Sequence, residues 1–180
     1  IFDTDAYYSH LLEQPAIAPL KAEIEKTVAT PYSDLGSDSK ERKAVWDKVS
    51  ELVKDGTLSF GPGVLAPFVY KDVFEVLRSL GNEAVIVTHG EVERQRLKIE
   101  SALAGVVRLT VLYVGEAKKA EYLSKWPGYN GAPAIFVDDR VTELEALAAA
   151  FPSMKLFEMR RDGKVGDGRW PGIRSLSELP

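Results

Sequence analysis

The second half of the chain alternates two kinds of segment. Short apolar runs occupy positions 84–88, 109–114, 134–137 and 154–159, and the first three are rich in β-branched residues. Between them lie segments rich in Glu, Lys, Ala and Leu at helical spacing, at positions 91–103, 116–125 and 142–151. The apolar runs predict buried strands, and the intervening segments predict helices bounded by Gly or Pro. Strands that alternate with helices of this length predict βαβ units and a parallel sheet covered by helices on both faces.

The N-terminal part of the chain has a different, largely helical pattern. The apolar pair Ile1-Phe2 has the composition of a strand end. Further apolar residues fall on one helical face that begins near Pro15, namely Ile17, Leu20, Ile24 and Val28. Asp38 and Glu41 have the spacing of a capping box, which predicts the start of a second helix that ends at Gly56.

A third helix is predicted over residues 67–80, where it leads directly into the strand at 84–88. Residues 8–61 contain no convincing strand, so we interpret them as a helical insertion between a first strand and the βα repeat. The domain organisation that follows is an α/β core formed by residues 1–7 and 62–180, with a helical cap formed by residues 8–61.

The residue types present limit the chemistry. The chain has 180 residues, of which 45% are hydrophobic, and this is enough for one well-packed domain. It has no Cys and two His, His10 and His89, which excludes a thiol nucleophile, a Cys-ligated metal site and a three-His zinc site. No G-x-S-x-G pattern is present to place a nucleophilic Ser on a strained turn. Carboxylates are therefore the main candidates for catalysis.

The charge balance argues against two classes of partner. With 23 Lys and Arg against 27 Asp and Glu, the net charge is −4, and no broad basic surface for nucleic acid is expected. No apolar stretch approaches the roughly 20 residues of a membrane-spanning helix, and no signal-peptide pattern is present, so we expect a cytoplasmic protein without membrane attachment. The chain begins at Ile1 rather than Met, and the sequence leaves open whether a short N-terminal piece is missing from it.

Polar residues follow several of the predicted strands. They stand at the ends of three runs and at the start of one helix, in the groups Asp3-Thr4-Asp5, Thr88-His89-Gly90, Asp138-Asp139 and Lys118-Lys119. Because the carboxyl ends of parallel strands meet at one edge of a sheet, we expect these side chains to converge there. The sequence therefore predicts four carboxylates, a hydroxyl and an ammonium at one edge.

Four clustered carboxylates need a cation. They repel one another and raise one another's pKa unless a divalent ion neutralises them, and hard oxygen ligands without Cys or paired His suit Mg²⁺. The cation would also screen the approach of a phosphate dianion to a nucleophilic Asp. A Lys and a Thr hydroxyl at the same edge would stabilise charge during phosphoryl transfer.

The order of these motifs resembles that of the haloacid dehalogenase (HAD) superfamily. The matching residues are Asp3-x-Asp5, Thr88, a Lys at a helix start and Asp138-Asp139; the run from Val87 to Gly90, continuing to Gln95 and Lys98-Ile99-Glu100, is similar to the stretch around the family's second motif. The resemblance covers residues 1–7 and about 62–180, and the segment 8–61 falls where the family inserts a cap. It implies a three-layer Rossmann-like parallel sheet with a small helical cap after the first strand.

The resemblance implies a phosphatase, because a second Asp two residues after the nucleophile separates phosphatases and phosphomutases from dehalogenases in that family. Asp3 would attack phosphorus to form an aspartyl-phosphate, and Asp5 would protonate the leaving oxygen and then activate water. The stretch Thr88-His89-Gly90 would bind the phosphoryl group, and Lys119 would hold the charges of nucleophile and phosphate. By the same resemblance the Mg²⁺ ligands are Asp3, the backbone carbonyl of Asp5, Asp138 and Asp139.

Two features depart from the family's pattern. Ala6 and Tyr7 stand where the family usually has Gly and then Thr or Val, and the Tyr7 ring would narrow the site or contact the substrate.

Both Lys118 and Lys119 match the motif lysine, and the run from Lys119 to Leu123 favours Lys119.

Each of these residues also has an ordinary structural interpretation. Asp3 and Asp5 are favoured in turns and caps, and Asp138-Asp139 would cap the helix predicted at 142–151. The lysine pair would lie on a solvated helix face. Basic residues in the Gly-rich stretch after the last strand predict an exposed loop rather than an anion site; these are Arg160, Arg161, Lys164 and Arg169.

The leading hypothesis is a Mg²⁺-dependent phosphatase for a small phosphorylated metabolite. A two-component receiver domain also combines an acidic pair, a phospho-accepting Asp, a Thr and a Lys on a parallel sheet, but its acidic pair comes first and its Lys last. A HAD-like module that has lost catalysis and serves as a binding or regulatory partner is the remaining alternative, and Tyr7 supports it. The predicted cap helices carry no motif that identifies the substrate.

Overall fold

The computed structural model of the chain shows a mixed α/β protein and describes residues 1–36, 38–105, 109–161, 163 and 168–180. The helices are α1 (Thr4–Leu12), α2 (Ala18–Val28), α3 (Lys40–Lys54), α4 (Lys71–Leu80), α5 (Val92–Leu103), α6 (Lys119–Lys125) and α7 (Val141–Ala150). The strands are β1 (Val85–Thr88), β2 (Thr110–Tyr113), β3 (Ile135–Asp138), β4 (Lys155–Met159) and β5 (Gly172–Ile173). Within the described ranges, no helix combines the length and the apolar composition needed to cross a bilayer.

The described strands form two small parallel sheets. β1 pairs with β2 in register from Val85↔Thr110 to Thr88↔Tyr113. β3 pairs with β4, and β4 pairs with the two-residue β5. Along the chain, α5 follows β1 and precedes β2, and α7 follows β3 and precedes β4, so the predicted alternation of strands and helices is confirmed. The sequence pattern predicts one sheet, whereas these strands belong to two, because a local pattern does not specify which strands pair.

Backbone contacts divide the chain into two compact units. Unit 1 comprises Ile1–Tyr70 and Glu91–Val106, and unit 2 comprises Lys71–Gly90 and Val107–Pro180. Unit 1 therefore holds α1, α2, α3 and α5, whereas unit 2 holds the other described helices and the described strands. The predicted division into a cap and a core follows other boundaries and stays a prediction.

The sequence predicts that the N-terminal segment of unit 1 is the end of a parallel strand, and the structure differs. Phe2 forms an isolated antiparallel bridge with Val69. The Asp3 N–H donates to the Phe68 carbonyl at 2.9 Å and extends this short contact. The prediction is wrong here because two apolar residues do not reveal which segment they pair with.

The interior of unit 1 is formed by apolar helix faces. Val45 and Val49 of α3 and Leu11 of α1 are almost completely buried. In α5, the Ser101 hydroxyl donates to the Phe60 carbonyl at 3.0 Å, which ties this helix to the segment that precedes residue 61. Because a buried hydroxyl without a partner costs free energy, this hydrogen bond allows a polar side chain inside the unit.

Several helices begin later than the sequence predicts, among them α3, α4 and α6. The Ser39 side chain caps α3, whereas Asp38, the predicted cap, lies one residue earlier. Helix α4 begins at Lys71, because Ala66–Phe68 forms a separate 3₁₀ turn. Helix α6 begins at Lys119 rather than at residue 116. Ser and Asp are nearly equivalent caps, so a sequence pattern locates such a start only to within a few residues.

Unit 2 has an apolar core that includes residues of β2, β4, α6 and α7. Leu144 and Leu147 of α7 lie three residues apart on one helix face and are fully buried. The other buried members of this core are Leu112, Val114, Ala120, Leu123 and Leu156. Full burial of one leucine side chain contributes about 1.5–3 kcal/mol, so the core holds α6 and α7 firmly within unit 2.

A carboxylate at the start of α4 ties down the C-terminal segment of unit 2. Asp72 Oδ2 accepts hydrogen bonds from Arg161 Nη2 at 2.8 Å, Ser175 Oγ at 3.0 Å and the Leu176 N–H at 2.6 Å. Burial acts to raise the pKa of Asp72, but these donors outweigh it and hold the pKa below its ordinary value of 3.8. Asp72 is therefore ionised at neutral pH and joins three segments of the unit.

Candidate active site

Two of the predicted site residues meet in unit 2. The Lys119 ammonium lies 2.5 Å from Asp138 Oδ2, and the two side chains are 12% and 1% exposed. Lys119 is the first residue of α6 and Asp138 is the last residue of β3, so the pair joins a helix start to the carboxyl end of a strand. The ammonium also lies 6.0 Å from the centre of the Phe136 ring. The fold therefore places a carboxylate and an ammonium together, away from water.

Both carboxylate oxygens of Asp138 are bonded. Oδ2 contacts Lys119, and Oδ1 accepts the Arg140 N–H at 3.0 Å. Burial raises the pKa of Asp138 above its ordinary value, and the Lys119 ammonium and the Arg140 N–H act against that rise. The positive charge of Lys119 therefore allows the Asp138 carboxylate to be buried.

The two residues of each predicted pair, Lys118-Lys119 and Asp138-Asp139, differ in exposure. Lys118 and Asp139 are exposed, whereas Asp138 is buried and Lys119 is partly buried. Lys118 is the residue before α6, in extended conformation, and its side chain does not cap the helix. It is Lys119, rather than its neighbour, that contacts Asp138.

Glu143 is a residue of this site that the sequence analysis does not name. It lies in the first turn of α7, is 5% exposed, and its Oε2 accepts the Lys119 N–H at 3.1 Å. Since Lys118 provides no side-chain cap, Glu143 takes over this function from a neighbouring helix. The sequence feature that could have indicated Glu143 is its place in the first turn of the helix predicted at 142–151, four positions after Asp139. Glu143 thus fixes the backbone from which the lysine side chain extends.

The stretch Thr88-His89-Gly90 begins with the last residue of β1 and lies at the carboxyl end of this strand in unit 2, as predicted. The Thr88 carbonyl accepts the Val114 N–H at 3.0 Å, and the Gly90 N–H donates to the Gly115 carbonyl at 2.9 Å. Gly90 and Gly115 both have positive φ, 116° and 61°, which favours glycine at these two positions. These bonds hold the segment after β1 against the segment after β2.

His89 extends from the same stretch toward an acidic residue. Its Nε2 lies 4.0 Å from Glu116 Oε2, and the two side chains are 26% and 84% exposed. A glutamate this exposed interacts weakly with its partner because water screens the charges. The predicted contact of His89 with a substrate stays a prediction.

Asp3 and Asp5 lie in unit 1, at the start of α1. Asp3 is the N-cap, and its Oδ1 accepts the Ala6 N–H at 3.0 Å. Asp5 is exposed and lies in the first turn, where a negative charge interacts favourably with the helix dipole. The ordinary interpretation of Asp3 as a capping residue is confirmed, and a nucleophilic role is compatible with it because the cap uses one oxygen.

Tyr7, the departure from the family's pattern, packs inside unit 1. It is 4% exposed, and its ring centre lies 6.0 Å from that of Phe2 and 6.3 Å from that of Phe68. The Lys98 ammonium lies 5.5 Å from the centre of the Tyr7 ring. Burial raises the pKa of the Tyr7 hydroxyl, so it stays neutral at physiological pH. Aromatic packing thus accounts for a large side chain at this position.

A second carboxylate–cation pair lies on the strand next to Asp138. Glu158 of β4 is the register partner of Asp138 and is 0% exposed. Its carboxylate forms an ion pair with the guanidinium of Arg160, two residues further along the chain. Each of these two neighbouring carboxylates therefore has a cation of its own.

The expectation of an exposed basic loop after the last predicted strand is wrong for two residues. The side chains of Arg160 and Arg161 are 21% and 15% exposed, because each pairs with a carboxylate. Lys164 lies outside the described residues, and Arg169 is exposed, as predicted. A Gly-rich sequence suggests exposure, but the acidic partners of these arginines determine where the side chains lie.

Two adjacent aspartates of unit 2 are of the hard oxygen type that Mg²⁺ prefers. They are Asp138 and Asp139, and Lys119 and the Arg140 N–H already bond both oxygens of Asp138. In the part of the chain that the structure describes, no group of three or more His, Asp or Glu side chains is placed to hold a metal ion. Two of the four predicted Mg²⁺ ligands thus lie in unit 2, and their role as ligands stays a prediction.

Comparisons with known proteins do not assign the chain to a family. No protein-family model matches it, and no curated protein matches it. It is similar to a solved structure of the UTR4 protein (Unknown transcript 4 protein) from Saccharomyces cerevisiae, at 17% identity, with 96% of this chain and 81% of that chain covered and a TM-score of 0.49. A similarity of this size does not identify a function.

Proposed function

We propose that the chain is a HAD-type, Mg²⁺-dependent phosphatase that hydrolyses a small phosphorylated metabolite in the cytoplasm. The proposal includes the three-layer Rossmann-like fold that the motif resemblance implies. The observation that carries it is the contact between Lys119 and Asp138, because the order of motifs assigned both residues to one site although they are 19 residues apart. The contact supports the proposal because both residues occupy the places that the motif order gives them.

In the proposed reaction Asp3 is the nucleophile. One of its carboxylate oxygens attacks phosphorus and forms an aspartyl-phosphate, while Asp5 gives a proton to the leaving oxygen. Asp5 then takes a proton from a water molecule, which attacks the same phosphorus and releases inorganic phosphate and the Asp3 carboxylate. Because Asp3 Oδ1 accepts the Ala6 N–H, Oδ2 is the oxygen available for attack.

Residues of unit 2 have the supporting roles. Lys119 balances the negative charge of the transferring phosphoryl group, and its helix start is held in advance by Glu143. The Thr88 hydroxyl and the backbone around Gly90 bind phosphoryl oxygens. The proposal requires that these residues and Asp3 act on one phosphoryl group, and measurement of hydrolysis tests this requirement.

Mg²⁺ is the proposed cofactor. Asp138 and Asp139 would hold it together with Asp3 and the backbone carbonyl of Asp5. When bound, the ion supplies positive charge that neutralises the carboxylates and the phosphate dianion. The support for this assignment is the type of donor, since Asp138 and Asp139 are adjacent carboxylates at the carboxyl end of β3 and Mg²⁺ prefers hard oxygen ligands.

The second candidate is a non-catalytic HAD-like module that binds or regulates a partner. It is favoured by the fact that Lys119 and Arg140 bond both oxygens of Asp138. In that case the ion pair has a structural role only, and it fixes α6 to β3. The two candidates differ in whether hydrolysis occurs at all.

The experiment is hydrolysis of para-nitrophenyl phosphate and of a panel of sugar phosphates and nucleotides, with Mg²⁺ and with EDTA. Wild type is compared with Asp3→Asn, and the matched control is Asp47→Asn, an exposed aspartate of α3. We expect Mg²⁺-dependent hydrolysis by wild type and by Asp47→Asn, and only the background rate with Asp3→Asn. Equal inactivity of all three proteins across the panel would favour the binding module.

A further inference from the structure

Arg160 and Glu158 form a buried ion pair that the proposed reaction does not use. Glu158 is 0% exposed, and the side chain of Arg160 keeps 21% of its surface accessible. The pair lies at the carboxyl end of β4, whose last residue is Met159. In parallel sheets this end of the strands is where ligands bind.

Strand register places this pair on the same sheet face as Asp138. Glu158 is paired with Asp138 across parallel strands, so both side chains project from the same face, about 4.8 Å apart along the sheet. Arg160 follows Glu158 by two residues, and their ion pair shows that its side chain returns to that face. Arg160 therefore lies beside the Asp138 position, beyond the end of the strand.

The Arg160 guanidinium has N–H donors that Glu158 does not use. Its Nη2 contacts Glu158, while its Nε and both Glu158 carboxylate oxygens are buried without a hydrogen-bond partner among the described residues. A guanidinium carries five N–H donors in a planar fork that matches the oxygens of phosphate. Glu158 contacts only part of this fork, and 21% of the Arg160 side chain stays accessible, so an anion can accept from the remaining donors.

We propose that Arg160, held in place by Glu158, binds the oxygens of a phosphate group at the carboxyl end of β4. This inference rests on the proposed function for the identity of the ligand, a phosphorylated substrate or its inorganic phosphate product. Arg160 supplies charge-assisted hydrogen bonds, and Glu158 is a positioning residue that fixes the side chain without touching the ligand. An exposed basic loop would have no such fixed geometry.

The test is isothermal titration of the full chain with inorganic phosphate. Arg160→Gln is expected to weaken phosphate binding by about tenfold or more, and Arg160→Lys to weaken it less, because loss of a charge-assisted hydrogen bond has this size. The matched control is Arg169→Gln, since Arg169 also pairs with a glutamate, Glu145, but at the surface. Its phosphate affinity should stay within about twofold of wild type.

A double variant separates binding from folding. Arg160→Gln leaves Glu158 buried without a partner and destabilises the chain, whereas Glu158→Met combined with Arg160→Met removes both charges and is expected to fold. If Arg160 binds phosphate, the folded double variant loses the affinity as well. Wild-type affinity in the double variant, or no binding of phosphate by wild type, would overturn the inference.

The same titration distinguishes this inference from the proposed function. Arg160-dependent phosphate binding by a chain that hydrolyses nothing would support the inference and reject the phosphatase. Hydrolysis that depends on Asp3, together with phosphate binding that is indifferent to Arg160, would support the phosphatase and overturn the inference.

Discussion

Asp138 and Glu158 are direct register partners on the parallel strands β3 and β4, and both carboxylates are buried. Neighbouring strands lie about 4.8 Å apart, so two uncompensated charges at these positions would repel each other strongly. Lys119 and Arg160 remove that repulsion, one for each carboxylate. Each of these neighbouring strands therefore carries one buried carboxylate that is neutralised by its own cation.

Substitution of Asp3 separates its two roles. Asn caps a helix about as well as Asp, so Asp3→Asn should leave the free energy of unfolding nearly unchanged while hydrolysis is lost. Asp3→Ala removes the cap as well and should lower the free energy of unfolding by about 1 kcal/mol. Urea denaturation and the hydrolysis rate of both variants check this. Full activity of Asp3→Asn would mean that Asp3 is a capping residue only.

Removal of the Lys119 ammonium should affect both stability and activity. Lys119→Met leaves Asp138 as a buried charge without a partner, which costs about 3–5 kcal/mol. The control Lys118→Met changes an exposed side chain and should stay within about 0.5 kcal/mol of wild type, with full activity. Denaturation curves and hydrolysis rates give the comparison.

A double variant makes the Lys119 prediction independent of folding. Lys119→Met combined with Asp138→Asn removes both charges and should recover most of the lost stability, because neither partner is left as an unpaired ion. Hydrolysis should remain absent. A stable double variant with wild-type hydrolysis would show that the pair only fixes α6 to β3.

Glu143 should act through the backbone of Lys119. Glu143→Gln keeps a side-chain oxygen that accepts the Lys119 N–H, so hydrolysis should be largely retained. Glu143→Leu leaves that N–H without an acceptor and should lower the free energy of unfolding by about 1–3 kcal/mol and reduce hydrolysis. Thermal denaturation and rates at saturating substrate measure the two effects. Equal loss of hydrolysis in both variants would instead show that hydrolysis depends on the negative charge of Glu143 rather than on this hydrogen bond.

Asp72 should make the stability of the chain depend on acidic pH. Its folded-state pKa lies below the ordinary value of 3.8, so the folded state binds the proton less readily than the unfolded state does. The stabilisation is therefore complete above about pH 4 and is lost as the pH falls through the lowered folded-state pKa. Urea denaturation from pH 6 to about pH 2.5 should show a smaller loss of stability for Asp72→Asn than for wild type. Identical pH dependence of the two proteins would contradict this role.

Much of the local structure could be predicted from the sequence. The runs at 84–88, 109–114, 134–137 and 154–159 each contain an observed strand, because short runs of β-branched or aromatic apolar residues bounded by turn residues favour strands. The contact between Lys119 and Asp138 joins residues that the motif order had assigned to one site. Pattern and motif order were informative here because each reflects a local requirement.

The remaining features depend on contacts between distant segments. Phe2 pairs with Val69 in an antiparallel bridge, and nothing in two apolar residues specifies that partner. Glu143 contributes through a hydrogen bond to another helix, which helical periodicity does not reveal. The burial of Arg160 depends on Glu158, an acidic residue inside a strand that reads as apolar, and the Gly-rich sequence after it suggests the opposite.

Detection of the phosphoryl group on Asp3 tests the proposed function most directly. The purified chain is mixed with para-nitrophenyl phosphate and Mg²⁺, quenched in acid and digested, and the peptide that contains Asp3 is analysed by mass spectrometry. We predict that this peptide gains the mass of one phosphoryl group in wild type, located on Asp3, and that the corresponding peptide of Asp3→Asn gains none. An unmodified Asp3 in wild type, or the same gain of mass in Asp3→Asn, would contradict the aspartyl-phosphate mechanism.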